Sequence, residues 1–146
     1  MVMIEQLEQL KEFHSVFGHP IEKSPCAQSD ELAQLRYRLG KEELDEYLEA
    51  NQNDDPVGIA DALADQLYIL LGTMLVHGMQ DTIVTIFDEV HRSNMSKLGE
   101  DGKPIYREDG KVMKGPNYFK PNIDKIIHDA WKSGEGQMQI EFDEKV

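Results

Sequence analysis

An all-α fold is predicted by three features of the chain. Apolar residues recur at three- and four-residue spacing over most of its length. The breaks between these runs fall at Gly, Pro and capping residues. Only residues 103–114 read as extended chain folded on itself, a short β-hairpin turning at Asp109-Gly110.

The first helix runs from about Ile4 to Val16, with Ile4, Leu7, Leu10, Lys11 and His14 at helical spacing, and Phe17-Gly18-His19-Pro20 stops it. Residues 18–28, with Pro20 and Pro25, read as an extended connection. Ser29 caps a second helix from Asp30 to about Asn51. Gly40 lies inside it at a cost of about 1 kcal/mol relative to Ala, so a kink or a close helix contact is expected there. Asp55-Pro56 supplies an N-cap and a first-turn proline for a third helix that reaches about His77, where Gly78 ends it. The middle of that helix is apolar all round (Leu63, Leu67, Tyr68, Ile69, Leu70, Leu71, Met74, Leu75), which predicts burial on every side. A chain of 146 residues can hardly enclose it alone, so a homo-oligomer is expected, most simply a twofold dimer or a dimer of dimers.

A fourth helix is expected from about Asp81 to Leu98, with Ile83, Ile86, Phe87 and Val90 inward and Asn94 and Lys97 continuing their stripe. After the hairpin, Pro121 introduces a last helix from about Asn122 to Lys132. Residues 1–132 are thus read as one domain, and 133–146 as an acidic, mobile tail. The N-terminus lacks the pattern of a signal peptide, and no stretch approaches the roughly 20 apolar residues of a membrane span. The single cysteine, Cys26, excludes an internal disulfide and a cysteine-rich zinc site. Together these predict a cytoplasmic protein without membrane contact.

Glu42-Glu43-Leu44-Asp45-Glu46 and Asp61-Ala62-Leu63-Ala64-Asp65 carry the chemistry. On the second helix Leu32, Leu35, Leu39, Glu42, Glu46 and Ala50 share one stripe, with Glu43 at its edge; on the third, Asp61, Asp65, Tyr68, Gly72, Leu75 and Met79 share another. Most glutamate runs on helices are solvated faces. Here the acids extend two core-facing rows, and carboxylates crowded in this way repel one another unless a cation sits among them. Oxygen ligands without Cys or His suit Mg²⁺ or Mn²⁺.

The net charge of −13 argues against binding duplex nucleic acid through its phosphates. Residues 91–120 nevertheless hold seven Lys/Arg against four acids, an excess that suits a small polyanion. The glycine-rich phosphate loops are absent, the five histidines lack ligand spacing, and Cys26 has no base beside it in sequence.

Ile59 to Tyr68 following Glu42-Glu43-Leu44-Asp45-Glu46 resembles the all-α nucleoside triphosphate pyrophosphohydrolases, a superfamily that includes MazG, the dimeric dUTPases and phosphoribosyl-ATP pyrophosphohydrolase. His91-Arg92-Ser93-Asn94-Met95-Ser96-Lys97, Asp101-Gly102-Lys103 and Asp109-Gly110-Lys111-Val112 are similar to its MazG-like, phosphoribosyl-ATP pyrophosphohydrolase-like subgroup, and the likeness extends over roughly residues 12–128. The resemblance implies a MazG-like helical bundle completed by oligomerisation. It also implies Mg²⁺-dependent cleavage of a (d)NTP between its α and β phosphates, giving a monophosphate and pyrophosphate, as in house-cleaning enzymes. The family's E-x-x-E maps onto Glu43 and Glu46. Its E-x-x-D matches at Asp65, but Ala62 stands where the first acid belongs, and Asp61 is the nearest one. The metal ligands expected are therefore Glu43, Glu46, Asp61 and Asp65. Glu42 or Glu43 is expected to orient or deprotonate water, and Arg92, Asn94, Lys97 and Lys111 to contact the nucleotide. The rival reading, supported by Ala62, is a catalytically silent helical module that binds a nucleotide or a partner protein.

Overall fold

The computed structural model describes residues 2–143, with side chains for residues 3–134. Among the described residues five helices follow one another: α1 (Val2–Phe17), α2 (Asp30–Gln52), α3 (Pro56–Val76), α4 (Ile83–Met95) and α5 (Ile123–Asp143). No strand forms among the described residues, so the fold is all-α. The chain makes two compact units, Met1–Gln80 and Asp81–Val146.

In the first unit, α3 packs against both α2 and α1. The local signals act as their chemistry dictates. Ser29 accepts from the Leu32 amide, and the Asp55 carboxylate accepts from the amides of Val57 and Gly58 ahead of Pro56, filling donors that a helix start leaves open. At the other end of α3 the carbonyls of Leu75 and Val76 are taken by the Glu22 amide (3.0 Å) and the Gln28 side chain (2.8 Å). The Cys26 amide donates to the His77 carbonyl (3.0 Å), and His77 Nδ1 donates to the Cys26 carbonyl (2.9 Å). The 18–28 connection is thus tied along the end of α3. Gly78 is essential to this: its φ is +66°, and a Cβ there would lie 2.1 Å from the Ser24 carbonyl oxygen. A Cβ on Gly40 would meet only Ile69 Cγ2, at 4.0 Å, which is ordinary contact, so the close helix approach expected there does not form.

The apolar girdle of α3 is covered on one side only. Ala62, Leu71, Leu75 and Val76 are buried, whereas Leu63, Leu67 and Leu70 are 50, 49 and 53 % exposed. Burial on every side is therefore not achieved by one chain. Leu44, Leu48 and Tyr37 of α2 are exposed as well, and Tyr37, Leu44, Leu67 and Leu70 line a shared groove. By length and composition α3 is also long and apolar enough to cross a membrane, which corrects the expectation that no segment is. It carries Asp61 and Asp65 among its apolar residues and packs on two other helices.

Among the described residues, the largely apolar core of the first unit holds one buried polar side chain, His14. His14 is 1 % exposed; its Nδ1 donates to the Pro20 carbonyl (2.9 Å). Arg36 reaches from α2 to the Ile69 carbonyl (2.6 Å) and the Thr73 hydroxyl (3.0 Å). Gly72 makes room for both, since a Cβ there would meet Arg36 Nη2 at 2.7 Å and His14 Nε2 at 2.9 Å. Burial lowers the His14 pKa below its ordinary 6.5, and the charges of Arg36 and His19 add to this against the Pro20 bond. A histidine depressed in the folded state contributes stability that is complete above about pH 6.5 and is lost as pH falls through its folded value. The melting temperature is expected to drop as pH is lowered from 7.5 to 5.0, and His14→Gln, neutral throughout, to flatten that part of the curve.

In the second unit α4 packs against α5. It is shorter than expected at both ends. Beyond Met95 the helix tightens into turns, with the amides of Ser96 and Lys97 bonded to the carbonyls of Ser93 and Asn94; Lys97 therefore lies outside it. Phe87, expected inward, is exposed. The 103–114 segment folds back through one antiparallel bridge, Tyr106–Val112, flanked by Arg107 N–Lys111 O (2.8 Å) and Met113 N–Ile105 O (2.7 Å). It turns at Gly110, whose φ is +84°. Helix α5 does not stop near Lys132. Residues 133–143 continue it, because the helix-favouring residues around Gly134 and Gly136 outweigh a cost of about 1 kcal/mol per glycine. Residues 144–146 of the expected tail lie outside the described residues.

Candidate functional site

The acids are gathered where α2 crosses the first half of α3. The line of α2 that faces α3 runs through Arg36, Glu43 and Ala50, seven residues apart. Arg36 bonds to Ile69 and Thr73, the Glu43 carbonyl accepts from Gln66 Nε2 (3.3 Å), and Ala50 is buried near the Gly58 backbone. A seven-residue spacing keeps one seam of a long helix on its neighbour. This turns Glu43, and not Glu42 or Glu46, toward α3: Glu43 is half-buried, while Glu42, Glu46, Asp61 and Asp65 are exposed around it.

Glu43 Oε2 is inaccessible to solvent and has no hydrogen-bond partner. An orphaned carboxylate oxygen is costly, because burial strips its water and nothing replaces it. Burial accordingly raises the Glu43 pKa above its usual 4.5, and the charges of Glu46, Asp65, Glu42 and Asp61, in that order, raise it further. The other four acids predicted from sequence thus all act on Glu43. They are gathered but not closed: among the described residues no three His, Cys, Asp or Glu groups stand ready to share an ion. The chemistry of the donor set still fits a hard divalent cation, with one buried, unpaired oxygen ringed by four solvated carboxylates. Ala62 is 1 % exposed, so the acid missing from the pattern is replaced by a small core residue.

The predicted nucleotide contacts belong to the second unit. Arg92 is already engaged: it holds Glu89 through two bonds of 2.9 and 3.0 Å and lies 4.3 Å over the Phe119 ring. Asn94 and Lys111 are exposed, and Lys97 is half-buried. The two serines of the 91–97 string have a structural part that sequence reasoning missed. Ser93 Oγ donates to the Phe119 carbonyl (2.7 Å), and the Phe119 amide donates to Ser96 Oγ (3.1 Å). The Gly115 amide donates to the Lys97 carbonyl (2.9 Å), and a Cβ on Gly115 would lie 2.1 Å from the Leu98 oxygen. These bonds clamp residues 115–119 onto the end of α4.

A phosphoribosyl-ATP pyrophosphohydrolase family model matches residues 10–94, which contain both acidic motifs and the start of the basic string. No curated protein matches the chain. Among solved structures, a protein from Exiguobacterium sp. 255-15, provisionally described as an NTP pyrophosphohydrolase, is 25 % identical over 97 % of this chain and 98 % of that one, with a TM-score of 0.45.

Proposed function

Because the chain belongs to the phosphoribosyl-ATP pyrophosphohydrolase family, we propose that it is a Mg²⁺-dependent nucleoside triphosphate pyrophosphohydrolase of house-cleaning type. The observation that supports this most directly is the orphaned Glu43 Oε2 among Glu42, Glu46, Asp61 and Asp65, an arrangement that disfavours the metal-free protein. Glu43, Glu46, Asp61 and Asp65 would hold the ion. Mg²⁺, when bound there, supplies neutralisation of the triphosphate and a more acidic water at neutral pH. Glu42, exposed at the edge of the cluster, orients the attacking water and takes its proton. The water oxygen bonds to the α-phosphorus, the bond to the bridging oxygen breaks, and pyrophosphate leaves with the electron pair. A screen of standard and modified (d)NTPs with pyrophosphate detection tests the proposal, and no turnover with Mg²⁺ or Mn²⁺ would overturn it.

Lys97 and Lys111 serve the phosphates in this reading, and Arg92 and Asn94 complete the nucleotide contacts. Lys97→Ala and Lys111→Ala are each expected to weaken nucleotide affinity or turnover about tenfold, as for loss of a charge-assisted bond, with little change in melting temperature. Normal kinetics in both would place the phosphates elsewhere.

A second copy of the chain covers the exposed Leu63, Leu67 and Leu70 face of α3. Leu67→Glu should then shift the sedimentation of the protein toward the monomer, whereas an unchanged profile would mean that this face is not the interface. One observation favours the silent-module reading, namely that the acids are not closed around a common point. Calorimetry separates the two: a binding module would hold a nucleoside triphosphate in the presence of Mg²⁺ without consuming it.

A further inference from the structure

We propose that the nucleobase of the substrate stacks on an aromatic rim formed by Phe13, Phe17, His19 and Tyr68; this rests on the nucleotide reading above. Helix α1 runs along the second half of α3, with His14 beside Gly72 and Phe13 edge-on to Tyr68 at 5.4 Å between ring centres. It ends at Phe17, one helical turn beyond Phe13. Phe13 ties the cluster together, lying 4.5 Å from the Phe17 ring and stacked 5.8 Å from His19 at an interplanar angle of 11°.

These rings do not form a closed core. Phe17 is 64 % exposed, Tyr68 is 39 % exposed, and His19 is open to solvent. Tyr68 follows Asp65 by three residues, a rise of about 4.5 Å along the helix. That is comparable to the reach of the sugar joining a base to its α-phosphate. A nucleotide whose phosphates lie at the acids therefore brings its base within reach of the rim. An aromatic face accepts any base by stacking, and the His19 ring adds a polar edge. The substrate class implied is a nucleoside triphosphate with an unencumbered planar base, selected by stacking more than by a dedicated hydrogen-bond pattern.

The test uses the full chain and two probes. Nucleoside 5′-monophosphates added in EDTA should shift the His19 ring resonances, whereas inorganic phosphate should not. With the best triphosphate from the screen, Phe17→Ala and His19→Ala should each raise KM about tenfold, the scale of one lost stacking contact, and leave kcat within about twofold. Their melting temperatures should stay near that of the parent, because both side chains are exposed. Parental KM and monophosphate affinity in both variants would overturn the rim while leaving the pyrophosphohydrolase reading intact. If no triphosphate is turned over, that reading fails, and the monophosphate titration decides the rim by itself: shifts at His19 support it and their absence overturns it.

Discussion

Glu43→Gln is expected to abolish pyrophosphate release and to raise the melting temperature in EDTA. The two effects share one cause. Glu43 brings a carboxylate oxygen into the α2–α3 contact without a hydrogen-bond donor, and four like charges act on it. In the metal-free protein the ionised group is therefore opposed by burial and by repulsion together. Glutamine keeps the shape, removes one charge and offers an amide hydrogen to a neighbouring carboxylate. The loss of turnover should exceed the roughly 10–100-fold typical of losing a group that merely orients a ligand. Mg²⁺ should raise the melting temperature of the parent more than that of the variant, since a ligand stabilises in proportion to its affinity for the folded state. A lower melting temperature for the variant in EDTA would instead identify Glu43 as a partner in the helix contact.

How far such a site can be read from sequence depends on the range of the interactions that build it. The Ser29 cap, the Asp55-Pro56 start and the stop at Gly78 are encoded within a few residues, and each appears where its chemistry requires. That the two acidic motifs lie near each other is also legible, because periodicity puts them on helix rows that can meet, although Glu42, Glu46, Asp61 and Asp65 are exposed and not core-facing as expected. Which glutamate turns inward is not. Ideal helical spacing favours Glu42 and Glu46, and the seam through Arg36, Glu43 and Ala50 emerges only once α2 lies along α3. The serines of the 91–97 string escape for a similar reason, since the residue that occupies them, Phe119, is 23 positions beyond the nearer one. The leucines of α3 are apolar for a contact that one chain does not make, so composition predicts their burial and the single chain leaves them open. The aromatic rim escapes because Phe13, His19 and Tyr68 come from three separate segments.

Asp65→Ala is expected to eliminate activity, and Asp61→Ala to reduce it while raising the Mg²⁺ concentration required. Positions 61 and 65 differ in facing by about 40° and are separated by roughly 6 Å along the axis, so both look toward Glu43 but from different heights. Their influence on it follows that difference, with Asp65 acting more strongly than Asp61. Asp65 is also the acid that fits the family pattern, whereas Asp61 stands beside the position where the pattern has its other acid. That position, Ala62, is closed to a simple exchange of roles. It is 1 % exposed, and Ala62→Glu would force a charge into packed surroundings, so it should lower the melting temperature in EDTA. In the proposed site Asp61 would supply the missing oxygen from the solvent side, with a side chain one methylene shorter than glutamate. A Mg²⁺ titration of turnover distinguishes its roles. A right-shifted curve that recovers at high Mg²⁺ marks Asp61 as a weak ligand. A curve superimposable on that of the parent would reduce Asp61 to an early-helix acid favoured by the helix dipole, leaving Glu43, Glu46 and Asp65 to hold the ion.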